Sequence, residues 1–396
     1  MKLFFFFFQV VCVAALTIAC NYTPNYQKIS SIPHQNCVKN YNSKTDYFPN
    51  KISVNHAKKF SVEYHNNYKV LTVKNPWQDA KTSFQYVLVE CGTPVPQGFK
   101  ENQIITVPIN TVVSLSTTHL PHLAFLGVVD KLVGVSNPKI VNTIEVVERI
   151  KAGKILGLGD NNVNVERLLE LNPDLITTYG TGNPQTDSYP KLLEAGLKVA
   201  INAEYMENTP LGRSEWLKFT ALFFNKEDIA EKIFSKISKN YQEIAEAAKA
   251  IKKYPKVFTG FNFKGTWYAP GCKSYVAQYL ADAGAELLCV DNLDGSIPLS
   301  FEDVFERAAT ADYWLNVSQS WQNLNDIITE DNRYGDFQAV KKGNVYNNNA
   351  RLNENDGNDY WESGISNPDI VLADLIKIFH PELLSNHQLF FYQKLN

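Results

Sequence analysis

Metal- and redox-active side chains are scarce here: 396 residues hold two methionines, seven histidines and six cysteines. No CxxC pair and no His-rich loop occurs, which argues against a zinc module and against a bare zinc or manganese binder. Charge of one sign is missing as well. Lys and Arg number 38 against 41 Asp and Glu, a formal net charge of −3 spread along the chain, so neither nucleic acid nor an anionic lipid surface is an expected partner. There is no GxSxG elbow, no HExxH, no Walker-type phosphate loop and no Gly-rich dinucleotide turn. Gly157-Leu158-Gly159 lacks a third glycine and does not sit directly between a strand and a helix. An enzyme is therefore the weaker reading. A surface adhesin is weaker too, because such proteins are more often β-rich or repetitive.

Aromatics, by contrast, are plentiful: 20 Tyr, 23 Phe and 6 Trp. Most belong in cores by the ordinary burial rules, and the remainder suit a pocket for a bulky ligand. With 44% hydrophobic residues there is enough apolar material for two domains. The amino terminus has the layout of a secretory signal, Lys2 followed by an apolar stretch from Leu3 to Ala19 broken only by Gln9; an uncleaved anchor is the alternative. The stretch ends at Thr17-Ile18-Ala19-Cys20. Of the other cysteines, Cys12 lies in the leader, and the pairing of Cys37 and Cys91 is left open by the sequence. Cys272 and Cys289 flank a helix-like segment from Ser274 to Ala283. Its ends are ~15 Å apart by helix rise, beyond the ~7 Å a disulfide tolerates, so no bond is expected there unless the chain doubles straight back.

Asn21 to Asn50 has no apolar period and reads as a tether. Strand-like pieces follow at 60–64, 69–73 and 84–89, spaced for a small antiparallel unit. From Thr111 apolar runs alternate with helical segments, the mark of a parallel sheet covered by helices. Ser214 to Phe224 reads as one helix, and Asn225 as the cap of a second. In that second helix Ile229, Ile233, Ile237, Tyr241, Ile244, Ala248 and Ile251 form one stripe over about 25 residues, or ~37 Å. This is a rigid strut, since three heptads without tandem continuation make a poor coiled coil. Alternation resumes after Pro255. The fold class is α/β: two α/β lobes with central, mostly parallel sheets joined by one long interdomain helix, plus an N-terminal antiparallel β extension. The divisions are signal peptide 1–19, tether 20–51, β extension 52–107, N-terminal lobe 108–211, linking helices 212–254 and C-terminal lobe 255–396.

An ordered set of segments carries a resemblance. They are VVSLSTTHLPHLAFLGVVDKLVGVS (112–136), NVERLLELNPDLIT (164–177), TPLGRSEWLKF (209–219), YVAQYLADAGAE (275–286), LSFEDVFERAATADYWL (299–315), NDYWESG (358–364) and PDIVLADLIKIFHPELL (368–384). Together they resemble the class III solute-binding proteins of ABC importers, which serve ferric-siderophore, haem and cobalamin uptake. The chain also resembles a lipoprotein branch common in Bacteroidetes-type bacteria that carries extra amino-terminal strands. Ala19-Cys20 resembles a lipobox, although Leu stands at 16 rather than 17, and lipidation of Cys20 would tether an exported protein to the envelope membrane.

The resemblance implies two lobes, a ligand cleft between them and a small hinge motion. It implies no enzymatic activity and no cofactor, a ferric chelate, corrinoid or haem as cargo, and an ABC permease dimer with its ATPase as partner. It places permease docking on Glu166 and Glu302, each opening a short helix before a strand that starts Pro173-Asp174 or Ala311-Asp312; helix capping by Asn164 and Ser300 would put acids there in any case. It places ligand contacts on Thr117, Thr118 and His119; on Tyr179, Gly180 and Thr181; on Trp267, Tyr268, Trp321 and Arg351. Arg351 could pair with an anionic chelate. Each aromatic could equally be core, except that Trp267, in a Gly-Thr-Trp-Tyr-Ala-Pro-Gly loop, is hard to place in one. His119 and His122 suit an axial-ligand role, but without acidic or Cys neighbours a structural role is favoured. Tyr360-Trp361-Glu362, after a polar and flexible stretch from Asn347 to Asn358, is expected to fix its own loop.

Overall fold

The computed structural model describes residues 37–159 and 162–396. The leader, Cys20 and the first part of the expected tether lie outside the described residues. Most of residues 37–51 are exposed, with contacts to the folded body at Cys37, Val38 and Phe48. Cys37 is bonded to Cys91 with their Cα atoms 4.9 Å apart, and Phe48 and Ile52 are buried.

Four strands follow: β1 (Phe60–Tyr64), β2 (Tyr68–Lys74), β3 (Ser83–Glu90) and β4 (Ile104–Val107). They pair in that order, the first two contacts antiparallel and the third parallel. Their inward residues Phe60, Leu71, Val73, Leu88 and Ile105 share one core with the lobe that follows. Three buried charges fasten this extension. Glu215 accepts the backbone N–H groups of Asn55, His56 and Ala57, and Glu207 accepts those of Lys58 and Lys59. Lys69, fully buried, donates to Leu222 O, Asn225 Oδ1 and Glu227 Oε1 at 2.7–2.8 Å. Burying a charge is tolerable when it is paired and hydrogen-bonded in this way.

The N-terminal lobe runs β5 (Val112–Ser114), α1 (Leu120–Phe125), β6 (Leu132–Val135), α2 (Ile144–Lys151), β7 (Leu156–Gly157), α3 (Val165–Leu171), β8 (Leu175–Thr178), α4 (Tyr189–Glu194), β9 (Val199–Ile201). Its sheet is all parallel in the order β7-β6-β5-β8-β9.

The link contains α5 (Pro210–Ser214), α6 (Trp216–Leu222) and α7 (Glu227–Ala248). The helix expected from Ser214 to Phe224 is α6, shorter at both ends, and α5 precedes it with Glu215 between the two. Asn225 is not the cap of α7; Lys226 holds that place, and Asn225 turns the chain with φ 53°. The strut stands: α7 has 22 residues, ~33 Å at helix rise. Ala230, near its start, is buried in the N-terminal core, while Tyr241 and Ala248 belong to the C-terminal core.

The C-terminal lobe runs β10 (Lys256–Thr259), β11 (Asn262–Phe263), β12 (Thr266–Pro270), α8 (Tyr275–Asp282), β13 (Glu286–Leu287), β14 (Ser296–Leu299), α9 (Phe301–Ala308), β15 (Tyr313–Leu315), α10 (Leu324–Glu330), α11 (Gln338–Lys341), β16 (Val345–Asn347), α12 (Ser363–Ser366), α13 (Pro368–Phe379), β17 (Gln393–Lys394). Its main sheet, β13-β10-β15-β16-β17, is parallel except for β17, and β11-β12-β14 form a separate antiparallel sheet. The expectation of no bond between Cys272 and Cys289 is overturned: they form a disulfide with Cα atoms 5.3 Å apart. The chain doubles straight back after α8, turning at Gly284 with φ +70° into β13, so both cysteines lie at the same end.

The two lobes repeat one plan. Strands β6-β5-β8-β9 match β13-β10-β15-β16. In each lobe the aspartate opening a central strand staples its neighbour: Asp174 accepts Thr111 N–H at 3.0 Å, and Asp312 accepts Lys256 N–H at 3.0 Å.

Candidate functional site

In open parallel sheets ligands bind beyond the carboxyl ends of the strands. At that end of the C-terminal lobe lies an open cavity of about 650 Å³ lined by Phe261, Asn316, Val317, Ser318, Gln319, Ser320, Gln322, Asn348, Asp356 and Trp361. Phe261 follows β10, residues 316–322 follow β15 and Asn348 follows β16. Asn316, with φ 53°, turns the chain out of the sheet. The loop after it is held from behind by an asparagine run. Asn347 Nδ2 donates to Ser318 O (2.9 Å), and Asn349 Nδ2 to Gln319 O (3.0 Å). Asn347, Asn348 and Asn349 are buried, so the start of the stretch expected to be flexible is a rigid polar wall. Gln319 Nε2 donates to Asp356 O at 2.8 Å, which ties in the segment that carries Trp361, 44% exposed. The lining holds one carboxylate, no Lys or Arg, several amides and hydroxyls, and two aromatic rings.

On the N-terminal lobe the matching strand ends present half-buried Ser116, Thr117 and Thr118 after β5 and Tyr179, 47% exposed, after β8. Thr181 and Gly182 N–H groups are gathered by Asp187. The hairpin between β2 and β3 covers this flank. Trp77 lies on Gly180 and Gly182, where an added Cβ would come within 2.9 and 2.6 Å of the indole, so only glycine fits. Gln78 reaches on to the C-terminal lobe, its Oε1 3.5 Å from where a Cβ on Gly295 would stand. The sequence offered no sign that this hairpin touches both lobes.

The expected ligand residues do not converge. His119 is buried, its Nδ1 3.2 Å from Thr177 Oγ1, and burial pushes its pKa down to about 3. His122 is likewise buried against Thr220 Oγ1, with its pKa also down to about 3. Both are neutral core histidines. Trp267 is core, contrary to the expectation that such a role is hard to build for it. It is wholly buried, donates through Nε1 to Thr259 O at 2.9 Å and packs on Phe258, Trp314 and Tyr334. The glycine-flanked loop is in fact β12, whose alternation sends Trp267 inward and Tyr268, 54% exposed, outward opposite Pro298. Trp321 is also core, backing Phe261 at 5.7 Å between ring centres. Arg351 is committed locally: Nε donates to Asp359 Oδ2 at 2.6 Å and the guanidinium lies over Phe390. Phe261, Trp361 and the amides around them are the residues that sequence reasoning missed as cavity lining, since only the return of β15 and β16 to one edge assembles them.

Glu166 and Glu302 are both exposed in the first turn of their helices. Asn164 accepts from Arg167 N–H, and Ser300 and Asp303 form a reciprocal capping box. Glu302 pairs with Arg333 at 3.2 Å. Among the described residues no cluster of three His, Cys, Asp or Glu could hold a metal ion.

Known proteins agree with this architecture. Residues 112–352 match the periplasmic binding protein family. An uncharacterized lipoprotein of Methanocaldococcus jannaschii is 30% identical over 80% of this chain and 77% of its own length. Among solved structures, a possible iron-binding periplasmic solute-binding protein of Staphylococcus epidermidis superposes with TM-score 0.54 at 21% identity, over 68% of this chain and 98% of that one. Helicobacter pylori CeuE with Ni(II) bound gives 0.54 at 18% identity, over 72% and 88%. The protein is exported and lipid-anchored at the cell envelope, in keeping with its lipoprotein relatives, and the two disulfides among the described residues suit an oxidising compartment. With two α/β lobes hinged on one long helix, this chain belongs to the periplasmic binding protein family, as a non-catalytic solute-binding protein of class III.

Proposed function

We propose that the protein captures a ferric siderophore in the cleft between its lobes and delivers it to an ABC permease. The observation that carries this reading is the cavity of about 650 Å³ at the strand ends, a volume suited to a bulky organic ligand. Its two aromatic rings offer flat contact area, and its amides and hydroxyls suit an oxygen-rich ligand. The absence of a metal-ligating cluster among the described residues favours a metal already wrapped in a chelate over a bare ion. The Staphylococcus epidermidis protein of similar fold is itself a possible iron binder. Because the lining holds Asp356 and no cation, the favoured chelate is neutral or cationic, of the hydroxamate kind. That same lining favours a second reading, a corrinoid with amide side arms. Haem, with two carboxylates, fits it less well.

Docking is assigned to Glu166 and Glu302, one exposed carboxylate per lobe on a capped helix start, suited to arginine partners. Tyr179 and Thr117 complete the cleft from the N-terminal lobe, while the ligand-facing aromatic role passes from Trp267 and Trp321 to Phe261 and Trp361. The test is thermal stabilisation by ferric trihydroxamates, cobalamin and haem. A ligand at 100 times its dissociation constant adds about 2.7 kcal/mol. Stabilisation by the ferric chelate alone supports the first reading, by cobalamin alone the second, and none by any metal chelate defeats both.

A further inference from the structure

The width of a cleft depends on what joins its walls. Besides α7, one buried carboxylate crosses between the lobes. Glu362 of the C-terminal lobe is 1% exposed and accepts hydrogen bonds from Asn142 N–H (2.9 Å), Thr143 N–H (2.6 Å) and the Thr143 hydroxyl. All three donors belong to the N-terminal lobe and stand at the start of α2. Thr143 occupies the N-cap of that helix and makes no side-chain cap bond of its own. The first amides of a helix lack partners within it, and here the opposite lobe supplies the acceptor. The seam is reinforced nearby. Asn353 Nδ2 donates to Lys139 O (3.1 Å) and Val141 O (3.2 Å), and a Cβ on Gly357 would meet Ile140 O at 2.3 Å. The residue before Glu362 is Trp361, in the cavity wall.

We propose that Glu362 is a positioning residue for ligand capture: by capping a helix of the opposite lobe it sets the spacing of the cleft and makes the parting of the lobes depend on pH. The proposal rests on the reading of that cleft as the capture site, but its test uses ligand-free protein, so the two can fail separately. The ionisable neighbours are Asp359, which adds repulsion and is itself paired with Arg351, Glu145 in the first turn of α2, and Lys139 in the facing loop. Burial pushes the Glu362 carboxyl up to about 7, against the pull of the Thr143 and Asn142 donors. Protonated, it can donate to the Thr143 hydroxyl and still accept both N–H groups. Parting the lobes returns it to water and to an ordinary carboxyl pKa of 4.5. The joined state thus binds the proton more tightly. Raising the pH from about 4.5 to about 7 therefore favours parting by up to about tenfold per pH unit, and the effect levels off above that.

The measurement is residue-resolved hydrogen exchange at Asn142 and Thr143 in the full-length, ligand-free protein from pH 5 to 8, corrected for intrinsic exchange. Protection is expected to fall by up to about tenfold per unit towards pH 7 and then flatten. Glu362→Gln should remove the slope. Glu362→Ala should lower protection of these two amides at least about tenfold while β5 and β8 keep theirs. Should Glu362→Ala fail to fold, Thr143→Val removes only the hydroxyl donor, with an expected loss of about twofold to fivefold. Unchanged protection in Glu362→Ala or, failing that, in Thr143→Val, or an unchanged slope in Glu362→Gln, overturns the proposal.

Discussion

The two lobes share a scaffold and differ at its working edge. Each has four matching parallel strands, an aspartate staple and an exposed glutamate on a capped helix, yet the C-terminal lobe opens into a polar cavity with Phe261 and Trp361. In the N-terminal lobe His119, which follows β5, is buried, and a hairpin from outside the family-matched residues lies along the flank. The aspartate staples sit where the strands begin; the differences sit where they end. The repeated plan therefore sets the frame, and the lobes differ in the loops beyond it.

Acid should break the comparison most strongly. His119 and His122 are both in the N-terminal lobe, and burial lowers both to about 3 from an unfolded value near 6.5. The unfolded chain binds more protons than the folded one between those values. Stability should thus be intact above pH 6.5 and fall by up to about 1.4 kcal/mol per pH unit for each histidine as the pH drops. Denaturant titrations at pH 7, 6 and 5 read this, and His122→Asn, if it folds, should make the slope shallower.

Trp267→Ala probes the other half. Removing a wholly buried indole should lower stability by about 3–5 kcal/mol in chemical denaturation, whereas Tyr268→Ala, one position along and facing out, should stay within about 0.5 kcal/mol. Equal effects would mean that β12 does not alternate as described. Selective loss of the Cys272–Cys289 bond, which spans 17 residues, should cost about 3 kcal/mol, read as a lowered Tm of the Cys272→Ser, Cys289→Ser double variant. Trp361→Ala should weaken ligand binding about tenfold to thirtyfold with little change in Tm. The smallest effect is expected for Glu166→Ala with Glu302→Ala: soluble affinity and Tm hold, and only uptake in cells is lost.

The frame was readable in the sequence because it depends on local signals. Strand–helix alternation, the stripe of α7 and the acids at helix starts all lie within short windows. What escaped depends on return geometry. Cys272 and Cys289 looked too far apart along a helix axis, and the turn at Gly284 brings them together. Trp267 stood among glycines that suggested a loop, but pairing with β14 makes the segment a strand with an inner face. Asn347 and Asn349 stood in a stretch of flexible composition, yet their side-chain amides satisfy the carbonyls of a loop about thirty residues away. Arg351 offered a free cation until Asp359 folded back onto it. Glu362 could be placed in a loop, but nothing local tied it to the opposite lobe.

The central claim is that a metal chelate is held against Trp361 at the C-terminal edge of the cleft and leaves chemically unchanged. The direct measurement is absorbance and mass spectrometry of protein purified from its native envelope, comparing the natural chain with Trp361→Ala. One intact chelate per natural chain is expected, and little or none on the variant. Equal loading of both, or a ligand recovered in a chemically altered form, would contradict this claim.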